Sequence, residues 1–182
     1  MKLYFMALLP DAAIQEEVTR FKQVAQERFG TRQALKSPAH ITLVPPFRTD
    51  RTDFSILQTV TAEQNPFAVP LQNFDRFGSR VIFVDVVPAP ALLDFQKVLA
   101  DFCASQLSIV PDSRSFHPHM TVAFKDLSQS IFPEAWTYFS AQTYERTFTA
   151  QGVTLLFHTG QQWQIDQTFA FSNLNATNPT QS

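Results

Sequence analysis

Four histidines, His40, His117, His119 and His158, are the residues from which chemistry can be read. Two of them open one short pattern, seen as His40-Ile41-Thr42-Leu43 and again as His119-Met120-Thr121-Val122. The copies lie 79 residues apart. With 17 threonines in the chain, four histidines placed at random find a threonine two positions on about 0.4 times, so two hits exceed chance. On a strand, histidine and threonine share one face while the two apolar residues take the other. Two such strands facing each other make a cleft of two imidazoles and two hydroxyls, with no carboxylate in either motif. That inventory suits phosphodiester hydrolysis without a metal. A neutral imidazole takes a proton from water or a ribose hydroxyl, and a protonated one gives a proton to the departing oxygen. His40 and His119 are the expected acid–base pair. Thr42 and Thr121 are expected to donate to non-bridging phosphate oxygens.

Residues around the motifs extend this site. Arg48 and Lys125 follow the two motifs and are candidate phosphate contacts, with lysine acting as a point charge that lacks the guanidinium fork. Phe47 and Phe124 are candidate base-stacking residues whose competing role is core packing. His117 shares the expected face of His119 and is placed at the rim of the cleft, without a proton-transfer role. His158 is expected to face solvent. Cys103 falls in the middle of an apolar helical stripe and reads as a small core residue. Two other readings stay open. His40, His117 and His119 can be drawn as three zinc ligands with an open position. No nearby carboxylate stands out to orient them, and the duplicated threonines would then go unexplained. A non-catalytic module that binds nucleotides or RNA ends in the same cleft is the other.

The elements that must carry these residues follow from periodicity. Lys2 to Leu9 reads as a strand, and Asp11 caps a helix reaching Phe29, with Gly30 just past its end. The segment HITLVPPF is a strand that Pro45 and Pro46 should stop. A helix over about Asp53 to Ala62 leads to strands Phe67–Phe74 and Arg80–Val87, joined through Gly78-Ser79. Ala91 to Leu107 is a strongly amphipathic helix. A turn near Pro111-Asp112 precedes the strand FHPHMTVAF, and a short helix begins near Pro133. Strands Arg146–Ala150, Val153–His158 and Trp163–Phe171 close the fold, and Asn173 to Ser182 is expected to be disordered. The second half reads as a rerun of the first. The expectation is therefore one α+β domain over residues 1–172, with two lobes related by a pseudo-twofold axis. Each lobe is an antiparallel-rich sheet covered by helices around a central cleft.

Composition narrows the choices. The 182 residues include 19 phenylalanines and only 16% charged residues, enough apolar material for a substantial core. A net charge of −2 carries no broad footprint for a long duplex or an anionic membrane, so a nucleic-acid partner should be short or gripped at one end. The four glycines are too scattered for a dinucleotide fingerprint or a P-loop, which disfavours NAD, FAD and Walker-type ATP chemistry; no cofactor is expected. The single cysteine rules out an internal disulfide. No signal or bilayer-length segment is evident, so a cytoplasmic location without a membrane partner is expected. No obligate protein partner is inferred.

The pair HITL and HMTV, the latter preceded by Phe116-His117-Pro118, resembles the two-histidine (2H) phosphoesterase superfamily. The likeness is to its 2'-5' RNA ligase and RNA 2',3'-cyclic phosphodiesterase group, and it extends over about Lys2 to Phe171. Many members place an arginine soon after the second motif, where this chain has Ala123-Phe124-Lys125. The resemblance implies a bilobal α+β fold and metal-independent opening of 2',3'-cyclic phosphates to 2'-phosphates. In some members it implies reversible formation of 2'-5' linkages. It assigns acid–base roles to His40 and His119 and phosphate binding to Thr42 and Thr121.

Overall fold

The computed structural model describes residues 1–172; the expected disorder of Asn173 to Ser182 lies outside the described residues. Eight strands and four α-helices follow in the order β1 (Lys2–Leu8), α1 (Ala12–Phe29), β2 (Ile41–Thr49), α2 (Leu57–Ala62), β3 (Phe67–Phe77) and β4 (Val81–Val86). Then come α3 (Pro90–Leu107), β5 (His119–Ala123), α4 (Phe132–Ser140), β6 (Glu145–Ala150), β7 (Gly152–His158) and β8 (Trp163–Ala170). They build two four-stranded antiparallel sheets, β2-β1-β7-β8 and β5-β4-β3-β6, in an α+β arrangement.

The lobes are not halves of the chain. The first sheet joins N-terminal β1 and β2 to C-terminal β7 and β8, while the second takes the middle strands together with β6. What repeats is a smaller unit, strand–helix–strand: β1-α1-β2 and β4-α3-β5, each with an 18-residue helix. In both units the outgoing strand ends up at a sheet edge and carries one histidine motif.

Each long helix packs across to the other unit's sheet. Phe21 of α1 meets Phe74 and Tyr144 edge-on at 5.0 and 5.1 Å, both in or beside the second sheet. Cys103 of α3 lies 3.7 Å from Met6 Sδ of β1, and burial pushes its thiol up to about 12, as suits a packed core thiol. Polar ties follow the same crossing. Glu17 of α1 accepts from Arg146 at 2.8 Å and from Tyr144 Oη at 2.8 Å, and Gln96 of α3 donates to the Leu43 carbonyl of β2 at 3.1 Å. One continuous apolar core, from Tyr4, Met6 and Leu8 to Val84, Leu99 and Phe139, results.

Local sequence explains most element ends. Asp11 caps α1 by accepting from Ile14 N at 3.1 Å, and Gly30 at φ +73° takes the left-handed position that ends it. β2 departs from expectation by running through Pro45 and Pro46 to Thr49. As an edge strand it has one unpaired side, and the β1–β2 register slips between Tyr4↔Phe47 and Met6↔Val44, leaving both prolines in a bulge. β3 reaches Phe77, three residues past expectation, because Asn73 at φ +57° absorbs a bulge and pairing resumes beyond it. α2 begins at Leu57 rather than near Asp53, whose carboxylate instead holds a turn through Ser55 N at 2.8 Å. A short 3-10 turn over Gln33–Lys36, with no counterpart in the sequence reading, prepares the approach to His40.

Candidate active site

His40 sits just before β2 and His119 begins β5, and these two edge strands lie against each other between the sheets. The rings are held by the same device. His40 Nδ1 bonds the Pro38 carbonyl at 2.8 Å, and His119 Nδ1 bonds the His117 carbonyl at 2.7 Å. A carbonyl only accepts, so the hydrogen must be on Nδ1 in both rings. A neutral ring so held leaves Nε2 with its lone pair, ready to take a proton; the imidazolium leaves Nε2–H ready to give one. The two charges sense each other, since a protonated His119 disfavours protonation of His40.

The threonines stand where alternation places them. Thr42 pairs with Ala7 and Thr121 with Phe83, each on the neighbouring strand. Ile41, Leu43, Met120 and Val122 are buried behind them. Both threonines are half-buried, and neither hydroxyl makes a hydrogen bond among the described residues. Two unengaged hydroxyls beside two locked imidazoles are what an anion clamp requires.

The surroundings of the two rings differ. His40 rests on Phe5 at 4.8 Å, and Phe5 is itself braced edge-on by Trp163 at 4.6 Å. With Ala7, Leu156 and Leu9 these form a small apolar cluster separate from the main core. The backbone leading to His40 is clamped from α1. Gln15 exchanges two bonds with Ala39, donating to its carbonyl at 2.6 Å and accepting from its N–H at 2.8 Å. Lys22, only 2% exposed, donates to the Ser37 carbonyl at 2.9 Å. Burial holds the Lys22 amine down at about 8. Burial, with smaller contributions from Lys22 and His119, also pushes His40 down to about 4 against the Pro38 bond.

His119 stands on aromatic edges instead, 4.9 Å from Phe77 and 5.1 Å from Phe83. Burial lowers its pKa as well, and His117 and Arg114 add to this, but the His117 carbonyl and the Asp85 carboxylate pull the other way. Asp85 on β4 is the direct register partner of His119 and lies 3.7 Å from His117 Nε2. This carboxylate was missed in the sequence. Its signal was there: one acid in the otherwise apolar strand Val81-Ile82-Phe83-Val84-Asp85-Val86.

Other expected residues fall as follows. β5 starts only at His119, so His117 precedes the strand, exposed, with its ring 6.4 Å from that of His119. Phe47 packs on Tyr4 at 6.2 Å and Phe54 at 6.4 Å as part of the core, which favours packing over base stacking. Phe124 is half-buried and its carbonyl accepts from Thr31 at 3.4 Å. Lys125, exposed at φ +63°, is where the chain turns off β5 toward Asp126, and nothing ties it to the motif threonines. Asp126 then bonds Thr31 Oγ1 at 2.6 Å and Arg32 N at 2.9 Å, joining the two units beside the site. Arg48, exposed, lies near the far end of β2 opposite Leu3. His158 is half-buried against Trp163 at 4.9 Å rather than facing solvent, and its Nδ1 accepts from Gly160 N at 3.1 Å. The three-histidine zinc arrangement does not assemble: among the described residues no three His, Cys, Asp or Glu side chains converge to hold a metal.

Comparison with known proteins bears on the fold and the family. None of the curated proteins matches the chain. The crystal structure of TT0787 of Thermus thermophilus superposes with a TM-score of 0.67 at 15% identity, covering 96% of this chain and 100% of that one. Apo E. coli LigT superposes with a TM-score of 0.62 at 17% identity, over 94% and 98% of the two chains. The same protein complexed with 3'-AMP gives 0.63 at 16%, over 93% and 98%. At these identities the likeness is one of fold. The family itself is shown by the model for the 2'-5' RNA ligase superfamily, which matches residues 10–162, a stretch containing both histidine motifs, and the chain belongs to that superfamily.

Proposed function

We propose that the chain is a phosphodiesterase that opens nucleoside 2',3'-cyclic phosphates, at RNA ends or on small nucleotides, by paired-histidine acid–base catalysis without a metal. The observation that carries this is the matched pair of Nδ1-to-carbonyl locks on two rings close enough to feel each other's charge. His40 is the base, because its burial keeps it neutral and ready to accept a proton. His119 is the acid, because Asp85 favours its charged form and an arriving phosphate anion adds to that preference. Water attacks phosphorus as its proton passes to His40 Nε2. The P–O3' bond breaks as His119 Nε2–H protonates the departing oxygen, leaving a 2'-phosphate and a free 3'-hydroxyl. Thr42 and Thr121 hold the non-bridging oxygens while charge builds there. With the 5'-hydroxyl of a second ribose attacking in place of water, the same proton transfers in the same direction form a 2'-5' linkage, and run backwards they cleave it to the cyclic phosphate. The fold is one that in E. coli LigT has been seen with 3'-AMP.

The experiment is turnover of adenosine 2',3'-cyclic phosphate in excess EDTA, with the product identified as the 2'- or 3'-phosphate. Release of the 2'-phosphate is expected. Binding without turnover, across all four nucleoside cyclic phosphates and a cyclic-ended oligoribonucleotide, would overturn the reading in favour of a binding module.

A further inference from the structure

A groove of about 680 Å³ is lined by none of the motif histidines and threonines. It runs between the far end of β2 and the segment that leaves α3, from Leu107 to Arg114. Three arginines line it: Arg48, Arg51 and Arg114. Arg114 is held by Asp112, with Nη2 2.7 Å from the carboxylate, and the other lining carboxylate, Asp50, pairs with the amino group of Met1 at 2.7 Å. The Arg48 side chain makes no hydrogen bond or ion pair among the described residues. Arg51 spends one Nη1 on the Asp53 carbonyl at 3.4 Å and meets no carboxylate within ion-pair distance among the described residues. Two exposed guanidiniums therefore stand in a groove whose carboxylates are already neutralised. Phe47 lines the same groove, and Val110 presents an apolar side chain at its rim, 87% exposed.

Two features relate the groove to the site. Arg114 lines the groove, and its charge makes the smallest of the contributions that disfavour the His119 imidazolium. Arg48 and Thr42 lie on one strand, six residues apart, a span of roughly 20 Å at the usual rise of a strand. That is several stacked nucleotides at about 3.4 Å each.

We infer that this groove is a second nucleotide subsite, in which Arg48 and Arg51 take a backbone phosphate and the exposed Val110 rim takes a base several nucleotides from the scissile phosphate. The inference rests on the proposed reaction and narrows its substrate: an oligoribonucleotide carrying the cyclic end, in preference to a mononucleotide. Arginine supplies the bidentate grip on phosphate, and base contact on an apolar rim tolerates any sequence.

Two measurements on the full chain test it. Steady-state hydrolysis compares a nucleoside 2',3'-cyclic phosphate with a short oligoribonucleotide ending in the same group. Fluorescence anisotropy follows binding of a labelled oligoribonucleotide that has a plain 3'-phosphate and needs no turnover. The wild type is expected to show a KM roughly tenfold lower for the oligonucleotide, as one or two charge-assisted phosphate contacts provide. Arg51→Glu and Val110→Asp are expected to erase that advantage, to weaken binding of the labelled oligonucleotide by roughly tenfold, and to keep mononucleotide turnover. Arg51→Glu should also flatten the salt dependence of binding. Equal KM values for the two substrates, or anisotropy indifferent to both variants, would overturn the inference while leaving the cyclic phosphodiesterase intact. Displacement of the labelled chain by 5'-AMP as readily as by unlabelled oligonucleotide would overturn it in favour of a small-nucleotide site. Conversely, binding that is sensitive to Arg51→Glu with no hydrolysis of any cyclic phosphate would support the groove and remove the proposed reaction.

Discussion

The two motif strands share an anchor and a phenylalanine support for each ring, and differ in the groups around them. Each histidine has its Nδ1 tied to the carbonyl two residues earlier, and each threonine lies on a strand at the edge of its sheet. Behind His40 there is apolar surface, from Phe5 to Trp163, and a backbone clamp from Gln15 and Lys22. Behind His119 there is Asp85, with His117 alongside. A repeated unit thus supplies two geometrically similar imidazoles, and the neighbours each one meets decide which favours the neutral form. Pairs of titratable groups whose environments pull their pKa values apart are how one site provides both acid and base.

The sharpest way to break this comparison is to remove the rings one at a time. His40→Ala and His119→Ala should each lower turnover on the order of 100-fold or more, the usual size of an acid–base contribution. Their pH profiles should differ. In the wild type, kcat/KM is expected to be bell-shaped. It rises with pH as His40 loses its proton near 4 and falls as His119, held below its ordinary value of 6.5, loses its own. His40→Ala should lose the rising limb and His119→Ala the falling one. Asp85→Asn should move the falling limb to lower pH, because the carboxylate favours the His119 imidazolium. Limbs that vanish the other way round would exchange the two roles.

A smaller effect is expected from the clamp. Gln15→Ala frees both polar groups of Ala39, and misplacing the His40 ring should lower kcat roughly tenfold while KM changes little if that ring is the base. An unchanged kcat would show that the Pro38 bond alone places His40.

The smallest effect on activity, and a distinct one on stability, belongs to Lys22. Its folded-state pKa of about 8 lies below the 10.5 of a free lysine, so the unfolded chain binds more protons between those values. Its contribution to stability therefore rises with pH across that window. Lys22→Met should remove this rise in Tm between about pH 8 and 10 and keep turnover within a few-fold. A variant whose Tm climbs as the wild type does would show that the amine titrates elsewhere.

Much of this was legible in the chain. Alternation alone put His40 with Thr42 and His119 with Thr121, because period-two geometry is local and the apolar partners Ile41, Leu43, Met120 and Val122 had to go to the core. The cap at Asp11, the stop at Gly30 and the amphipathic α3 were likewise written in side-chain chemistry within a turn or two. The path of β2 through Pro45 and Pro46 was not, since a proline pair reads as a stop unless the strand is known to be at an edge with a bulge. Phe47 could not be given to core or cleft, because its place depends on that same register slip.

What the sequence determined by itself was the pair of motifs, the alternation that gives each a chemical face, and the amphipathic patterns of the helices. Those are short-range properties, fixed by covalent geometry and by which side chains water rejects. Tertiary structure alone decided that N- and C-terminal strands share one sheet, that each long helix crosses to cover the other, and that Asp85 stands beside His119 and not His40. Packing between segments far apart in the chain sets those choices, and packing is also what makes one imidazole harder to charge than the other.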